Sequence, residues 1–398
     1  MFTVEDLHRA LILASDMGAS DLDLQTEYPM FLNLYGEHRV LTRDGRILDA
    51  AKDAESTKNL HLECLFPEEM RFIANHLFRG AAAQEEMNRT RGGLNMAYVV
   101  EEHHPIGHAR RGKKHRFRVN MVQGQNANSE TNVQITIRPL PGMVKFPEEY
   151  GIPDAIREHF FHTRGLVLVT GPTGSGKTTL LASMLRDWLE RGKHSIKLIT
   201  AEDPIEIILQ EVVTNMIHDG RIPHSFIHHA EVPTNLRDFS LSIREGMRRH
   251  PDVAMIGELR DRESIAAAIE LVLTGHTVLS TTHTIGVGST IGRLIAGFPT
   301  EEKLMKKQDL IFSLRLVVSQ LLVKSTDGKR TAIREYLPFT TPVRKRLLDT
   351  PIENLYPVID EMLVQHGRPM IRDVEDRYRD GIISEETYQR LEAEHALA

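Results

Sequence analysis

Gly171, Gly174 and Gly176 lead into Lys177 and Thr178 in the run GPTGSGKT, which has the spacing G-x-x-x-x-G-K-[ST]. Residues of these types in this order do phosphate chemistry. Glycines let backbone N–H groups close around phosphate oxygens, and a helix N-terminus behind them adds partial positive charge. Lys177 would reach the β and γ phosphates, and the Thr178 hydroxyl would ligate Mg²⁺. The surroundings fit: the apolar run GLVLVT precedes the loop, and the amphipathic run TTLLASMLRDWLERG follows it. An ordinary glycine-rich turn is the alternative, and it needs neither the lysine nor the hydroxyl after it.

Triphosphate cleavage also needs carboxylates beside the metal. Glu202 and Asp203 follow the strand-like run IKLIT, and Glu206 comes one turn later. Glu258 follows VAMIG, after a glycine rather than inside the apolar run. In a parallel sheet both acidic positions come out at the edge where ligands collect. Glu202 and Glu258 are therefore expected to hold Mg²⁺ with Thr178, or to orient the attacking water. His276 and His283 bracket TVLSTT; a hydrogen bond from His283 to the γ-phosphate is the chemistry open to it. The histidines at 103, 104, 108, 224, 228 and 229 lack the thiol or carboxylate company of a zinc site.

These residues need elements to position them. Strand and helix patterns alternate from about residue 153, which predicts a largely parallel sheet with helices on its faces, and the pattern turns helical and charged after about 299. Residues 1–140 read differently. Leu7, Ala10, Leu11 and Ala14 share a helix face, and Met70, Ile73, Ala74 and Leu77 share another. MFLNL, RVLTRDGRIL, RFRVNMV and NVQITIR read as strands or a hairpin. Between the halves, RPLPGMVKFPEEYGIP holds four prolines and two glycines, so 141–152 is expected to be a linker. The expected organisation is thus a mixed α/β first domain (1–140) and an α/β nucleotide-binding domain (153–398) whose part from about 300 is helical.

Composition narrows the function classes. The chain has 398 residues, 41% hydrophobic and 26% charged, which fits a soluble two- or three-domain protein and excludes disordered and fibrous classes. Its net charge of −6 excludes a broadly basic nucleic-acid-coating protein. Cys64 is the single cysteine, which rules out an intrachain disulfide and fits a reducing, cytoplasmic setting. The N-terminal segment reads as an amphipathic helix rather than a signal sequence, and no stretch reads as a membrane span, so a membrane role would go through a partner.

Four runs occur in order: GPTGSGKTTL, ITAEDPIEI, RRHPDVAMIGELRD and TGHTVLSTTHT. They resemble the Walker A, Asp-box, Walker B and His-box motifs of the PilT-like secretion ATPases. RLVVSQLLVKSTDGKRTAIREYLPF, PVRKRLLD and DGIISEETY are most similar to the DotB and TraJ members, ATPases of type IVB secretion and plasmid transfer. The resemblance covers nearly the whole chain. It implies a hexameric ring with a PAS-like α+β N-terminal domain and a RecA-like C-terminal domain, Mg²⁺ and ATP as ligands, and work with inner-membrane secretion or conjugation components, another secretion ATPase among them. Gly171, Pro172, Thr173, Gly174, Ser175, Gly176, Lys177, Thr178, Thr179, Asp203 and His276 would then bind nucleotide. Glu258, Glu202 and His283 would serve catalysis. Arg116, Arg118 and Arg138 would face a neighbouring subunit's ATP, where one arginine in trans is worth roughly 10³–10⁵ in rate.

Other readings stand beside this one. Residues 103–129 carry six Lys or Arg and no Asp or Glu, which allows a nucleic-acid patch and a DNA-stimulated RecA-like translocase. Arg110 to Lys114 also suit a plain solvated loop. Pilus retraction is the nearest relative function. Against it, PVRKRLL stands where retraction motors carry AIRNLI, and one cysteine excludes the zinc insertion of assembly ATPases. A P-loop kinase lacks a substrate motif here, and a GTPase would need Asn-Lys-x-Asp, which is missing.

Overall fold

The computed structural model describes residues 2–34, 37–49, 63–80, 82–101, 114–125, 132–140, 142–233 and 235–396. Arg110, Arg111, Lys113 and the histidines at 103, 104 and 108 lie outside them. The chain forms two compact units, Met1–Gly142 and Met143–Ala398.

The first unit contains α1 (Val4–Asp16), β1 (Asp21–Gln25), β2 (Met30–Leu34), β3 (Glu37–Leu41), β4 (Ile47–Leu48), α2 (Pro67–Phe78), α3 (Ala83–Thr90), β5 (Leu94–Glu101), β6 (Lys114–Gly124) and β7 (Asn132–Leu140). Thr3 caps α1: its hydroxyl accepts from the Asp6 amide while Asp6 accepts from the Thr3 amide, so two otherwise orphaned donors are satisfied. The strands pair antiparallel in the order β4-β3-β2-β1-β7-β6-β5. Leu7 and Leu11 of α1, Ile73 and Leu77 of α2 and Met87 of α3 pack on Phe117, Val119, Ile135 and Ile137 of the sheet. In β6 the alternation of buried and half-exposed residues puts Arg116 and Arg118 on the face away from this core. This is the PAS-like α+β arrangement that the motifs implied.

The second unit contains α4 (Asp154–Phe160), β8 (Gly165–Thr170), α5 (Lys177–Arg191), β9 (Lys197–Glu202), α6 (Gln210–His218), β10 (Phe226–Glu231), α7 (Phe239–Met247), β11 (Val253–Ile256), α8 (Arg262–Leu273), β12 (Thr277–Thr282), α9 (Val287–Ala296), α10 (Lys303–Ser313), β13 (Leu314–Lys324), β14 (Arg330–Pro338), α11 (Thr341–Asp349), α12 (Leu355–His366), α13 (Met370–Arg379) and α14 (Glu385–Ala396). Its sheet runs β10-β9-β11-β12-β8-β13-β14. Every neighbouring pair is parallel except the hairpin β13–β14. Residues from α8, α9, α10 and α12 fill one face of the sheet, and residues from α4, α5 and α6 fill the other. β8, β11 and β12 are buried along their whole length, as strands covered on both faces must be. This is a RecA-like α/β domain.

Two sequence expectations change here. The stretch after 299 is not helical throughout, because Leu314–Pro338 forms a hairpin whose first strand extends the central sheet beside β8. Helices resume at Thr341. Within the expected linker, residues from Met143 on belong to the second unit. Val144 and Ile152 are buried in its core, and the Arg186 guanidinium lies 4.0 Å from the Phe146 ring centroid. Among the described residues no helix is long and apolar enough to cross a membrane.

Candidate active site

β8 delivers the chain to Gly171 at the carboxyl edge of the sheet, and α5 starts at Lys177. The glycines between are forced by geometry. Gly171, Gly174 and Gly176 have φ of +141°, +76° and +82°, in the left-handed region that other residues rarely adopt. A Cβ on Gly171 would lie 2.1 Å from the Gln320 carbonyl oxygen of β13, so the neighbouring strand excludes a side chain as well. The Lys177 ammonium donates to the Gly171 and Pro172 carbonyls at 2.8 and 3.0 Å. Burial pulls Lys177 below its ordinary pKa, while Glu258 and Glu206 act in the opposite sense. The Ser175 hydroxyl oxygen and that of Thr170 are buried without a hydrogen-bond partner, so polar groups sit at the cradle ready for a ligand. Thr178 and Thr179 are half-buried at the start of α5, with Pro172 half-buried and Thr173 exposed in the loop.

Glu258 leaves the sheet beside this loop. Gly257 donates to the Ala201 carbonyl at 2.7 Å, and the hydroxyls of Ser280 and Thr281 donate to the Ile256 and Gly257 carbonyls, both at 2.6 Å. A Cβ on Gly257 would lie 3.3 Å from the Ala201 oxygen and the Glu202 Cα, a tight approach to the backbone of β9. The Glu258 carboxylate is then gripped from two sides. Arg260 Nε donates to one oxygen at 2.6 Å, and His283 Nε2 lies 3.1 Å from the other. Arg260 also reaches Asp203, at 3.8 Å, and its hydrogen bond to Glu258 raises the guanidinium above its ordinary pKa. Glu258, His283, Asp203 and Arg260 thus form one charged group, with Glu258 acting electrostatically on Lys177.

Glu202 is placed differently. It ends β9 almost fully buried, and its carboxylate lies 3.2 Å from His229 Nδ1, which in turn is 2.8 Å from the Thr200 hydroxyl. A carboxylate committed to a buried imidazole is a supporting group behind the edge rather than an open metal ligand. His276 is not brought to the loop within this chain: it precedes β12, while the phosphate loop follows the neighbouring β8. Six strand residues separate the two ends, about 20 Å. There its Nδ1 faces the Leu271 carbonyl at 3.1 Å, and it lines a cleft of about 670 Å³ with Phe161, Trp188 and His250. That cleft lies at the opposite edge from the chemistry.

In the first unit Arg118 and Arg138 are cross-strand partners on β6 and β7, and Arg116 stands two residues along the same face. Facing cations repel. Asp21 offsets Arg138 through an ion pair at 2.9 Å. Among the described residues no group of three or more His, Cys, Asp or Glu is arranged to hold a metal ion. The set at the loop, the Thr178 hydroxyl with the Glu258 carboxylate that Arg260 and His283 hold, suits Mg²⁺, which takes few protein ligands and completes its shell with phosphate oxygens and water. Arg260 lies within the run RRHPDVAMIGELRD but was not singled out there, and His229 belongs to none of the four motifs. Arg260 could have been suspected from its place two residues after Glu258, whereas His229 emerges only when β10 pairs with β9.

A glycine cradle between a central parallel strand and its helix, flanked by acids at adjoining strand ends, defines a RecA-like P-loop nucleotide-binding protein. The chain is 36% identical over 244 residues to the type IV pilus retraction ATPase PilT of Pseudomonas aeruginosa, a match spanning 61% of this chain and 66% of that protein. It is 33% identical to a twitching motility protein of Neisseria gonorrhoeae, over 69% of each. Among solved structures it is similar to the Legionella pneumophila ATPase DotB, with 31% identity, a TM-score of 0.81 and coverage of 98% of this chain and 96% of that one. The pilus retraction motor PilT with bound ADP gives 25% identity, a TM-score of 0.75 and coverage of 98% and 97%. The chain belongs to the type II/IV secretion system protein family, whose pattern matches residues 146–354, and is a PilT-like member of it close to DotB.

Proposed function

We propose that this chain is a Mg²⁺-dependent ATPase that works in the cytoplasm as a ring of six copies, docked at the inner membrane through partner components, and drives a type IVB-like secretion or conjugative DNA-transfer machine. The observation that carries the reading is Glu258, held between Arg260 and His283 within the electrostatic reach of Lys177. Similarity to DotB over nearly the whole chain supports the IVB assignment.

In this reading the loop amides and the N-terminus of α5 bind the phosphates, and Lys177 turns from its own carbonyls to the β and γ groups. Thr178 and Glu258 would hold Mg²⁺, which when bound draws off charge developing on the phosphates. Glu258 orients the attacking water and takes up its proton. Arg260 and His283 fix the direction of the carboxylate, and His283 can donate toward the γ-phosphate. Glu202, anchored by His229, completes the acidic edge. Arg116, Arg118 or Arg138 of an adjacent copy supplies positive charge to the phosphates from outside. Hydrolysis and release then alter the angle between the two units of each subunit, and the ring converts this into movement. Pilus retraction is a second reading, favoured by the PilT relative.

Mixing two inactive variants tests the proposal. Glu258→Gln destroys a subunit's own site, and an alanine replacement of all three arginines destroys its contribution to a neighbour. Together they should regain part of the wild-type ATPase rate, with sedimentation as hexamers. A mixture no more active than its parts, or a chain that stays monomeric with ATP and Mg²⁺, overturns the ring. Restoration of transport in a secretion-deficient strain, but not of twitching in a retraction-deficient one, separates the two readings.

A further inference from the structure

β13 carries a second layer beneath the phosphate loop. Gln320 is 3% exposed and 145 residues away from the loop in sequence, yet its amide nitrogen donates to the Ser175 carbonyl at 2.6 Å. A Cβ on Gly176 would come within 2.9 Å of that nitrogen. The Gln320 amide oxygen accepts from Arg334 Nε at 2.7 Å. Arg334, also 3% exposed, sends its other two nitrogens to the Gly151 and Tyr150 carbonyls at 2.9 and 3.2 Å. Its own backbone amide donates to Asp373 of α13 at 2.9 Å. Burial lowers the Arg334 pKa to about 10, with Asp373 acting against the fall, and the group stays charged at neutral pH. A buried guanidinium turned mainly on carbonyl and amide oxygens is a costly arrangement, kept where geometry must be fixed.

We infer that Gln320 and Arg334 are positioning residues of the phosphate loop, forming one relay that fastens the loop to Tyr150 and Gly151, in the segment that follows the start of the second unit at Met143. Neither residue touches the nucleotide in this account. The inference rests on ATP binding at Gly171–Thr178 and adds to it a mechanical link from the bound phosphates to the segment that leads to the other unit. Held from below by one amide, the loop has its Ser175 carbonyl turned inward, which suits a cradle whose remaining N–H groups meet phosphate.

The test is a double-mutant cycle on the full chain, read as the KM for ATP against kcat. Gln320→Leu should raise KM about ten-fold, the scale of one lost hydrogen bond to a buried acceptor, with kcat changed less than about two-fold. Arg334→Lys, which keeps the charge but cannot span Gln320 and both carbonyls, should raise KM several-fold from outside the site. The double variant should be no worse than Gln320→Leu alone, because both break the same chain of bonds. Should Gln320→Leu fail to fold, Gln320→Glu replaces it: it can still accept from Arg334 but has no donor for Ser175. Wild-type KM in Arg334→Lys, or effects that multiply in the double variant, overturns the relay. A wild-type chain that hydrolyses no ATP overturns the underlying function instead.

Discussion

His283 Nε2 lies 3.1 Å from Glu258 Oε1, although the two residues come from different strand ends and are 25 positions apart. The imidazole is exposed while the carboxylate is mostly buried, so His283 is the outward arm of a fixed acid. Replacing Glu258 with Gln should lower kcat by about 10²–10⁴-fold with ATP still bound, since the positioned base is lost. His283→Ala should cost about ten-fold, and in the Glu258→Gln background it should cost little more. Phosphate-release assays on the two variants and their combination check this, and full additivity would show that His283 acts apart from Glu258.

Arg260 holds the same carboxylate from the other side at 2.6 Å. Arg260→Met removes the charge while keeping much of the stem. We expect kcat to fall by about ten-fold with ATP binding little changed, because the carboxylate loses the donor that fixes its direction. A wild-type kcat would show that Arg260 does not orient the carboxylate.

The buried pair Glu202 and His229 predicts a stability effect rather than a purely kinetic one. His229→Ala leaves a carboxylate that is almost fully buried without its partner. Denaturant unfolding should show a loss of about 1–3 kcal/mol. A variant as stable as the wild type would mean that water or another donor replaces the imidazole at no cost.

In the first unit Arg43 pairs with Glu69 at 2.7 Å. Burial pushes the Glu69 carboxyl up, but hydrogen bonds from Arg43 and from the Phe66 and Phe2 amides outweigh it, leaving the group below its ordinary 4.5. A depressed carboxylate stabilises the fold above the unfolded value, and that stability is lost as pH falls through the folded value. Glu69→Gln should therefore be less stable by about 2–4 kcal/mol near neutral pH. The gap should close below about pH 4, as protonation makes the wild type resemble the variant. Urea unfolding across that range checks the sign, and a gap that widens on acidification would contradict it.

How much of this was legible beforehand depends on where the contacts come from. The glycine loop, α5, β8, β11, β12 and the acid after Gly257 were visible, because each is a local pattern whose chemistry fixes residue type and spacing. The helices around Leu7–Ala14 and Met70–Leu77 were visible by periodicity. β13 was not, since LRLVVSQLLV is buried on both faces and its apolar run does not separate a strand from a buried helix. With β13 unseen, Gln320 and Arg334 could not be connected to the loop. His276 shares a motif with His283, but a six-residue strand sends the two to opposite edges of the sheet. The contact of Glu202 with His229 was hidden because His229 sits on β10, a strand that joins the sheet only through pairing with β9.

Cleavage of ATP at the Gly171–Thr178 cradle is tested by measuring hydrolysis side by side in the purified chain and its Lys177→Ala variant, with and without Mg²⁺. We predict Mg²⁺-dependent turnover by the wild type and a loss of at least about 100-fold in the variant. Equal rates in the two proteins, or no binding or turnover of ATP by the wild type, would contradict the account.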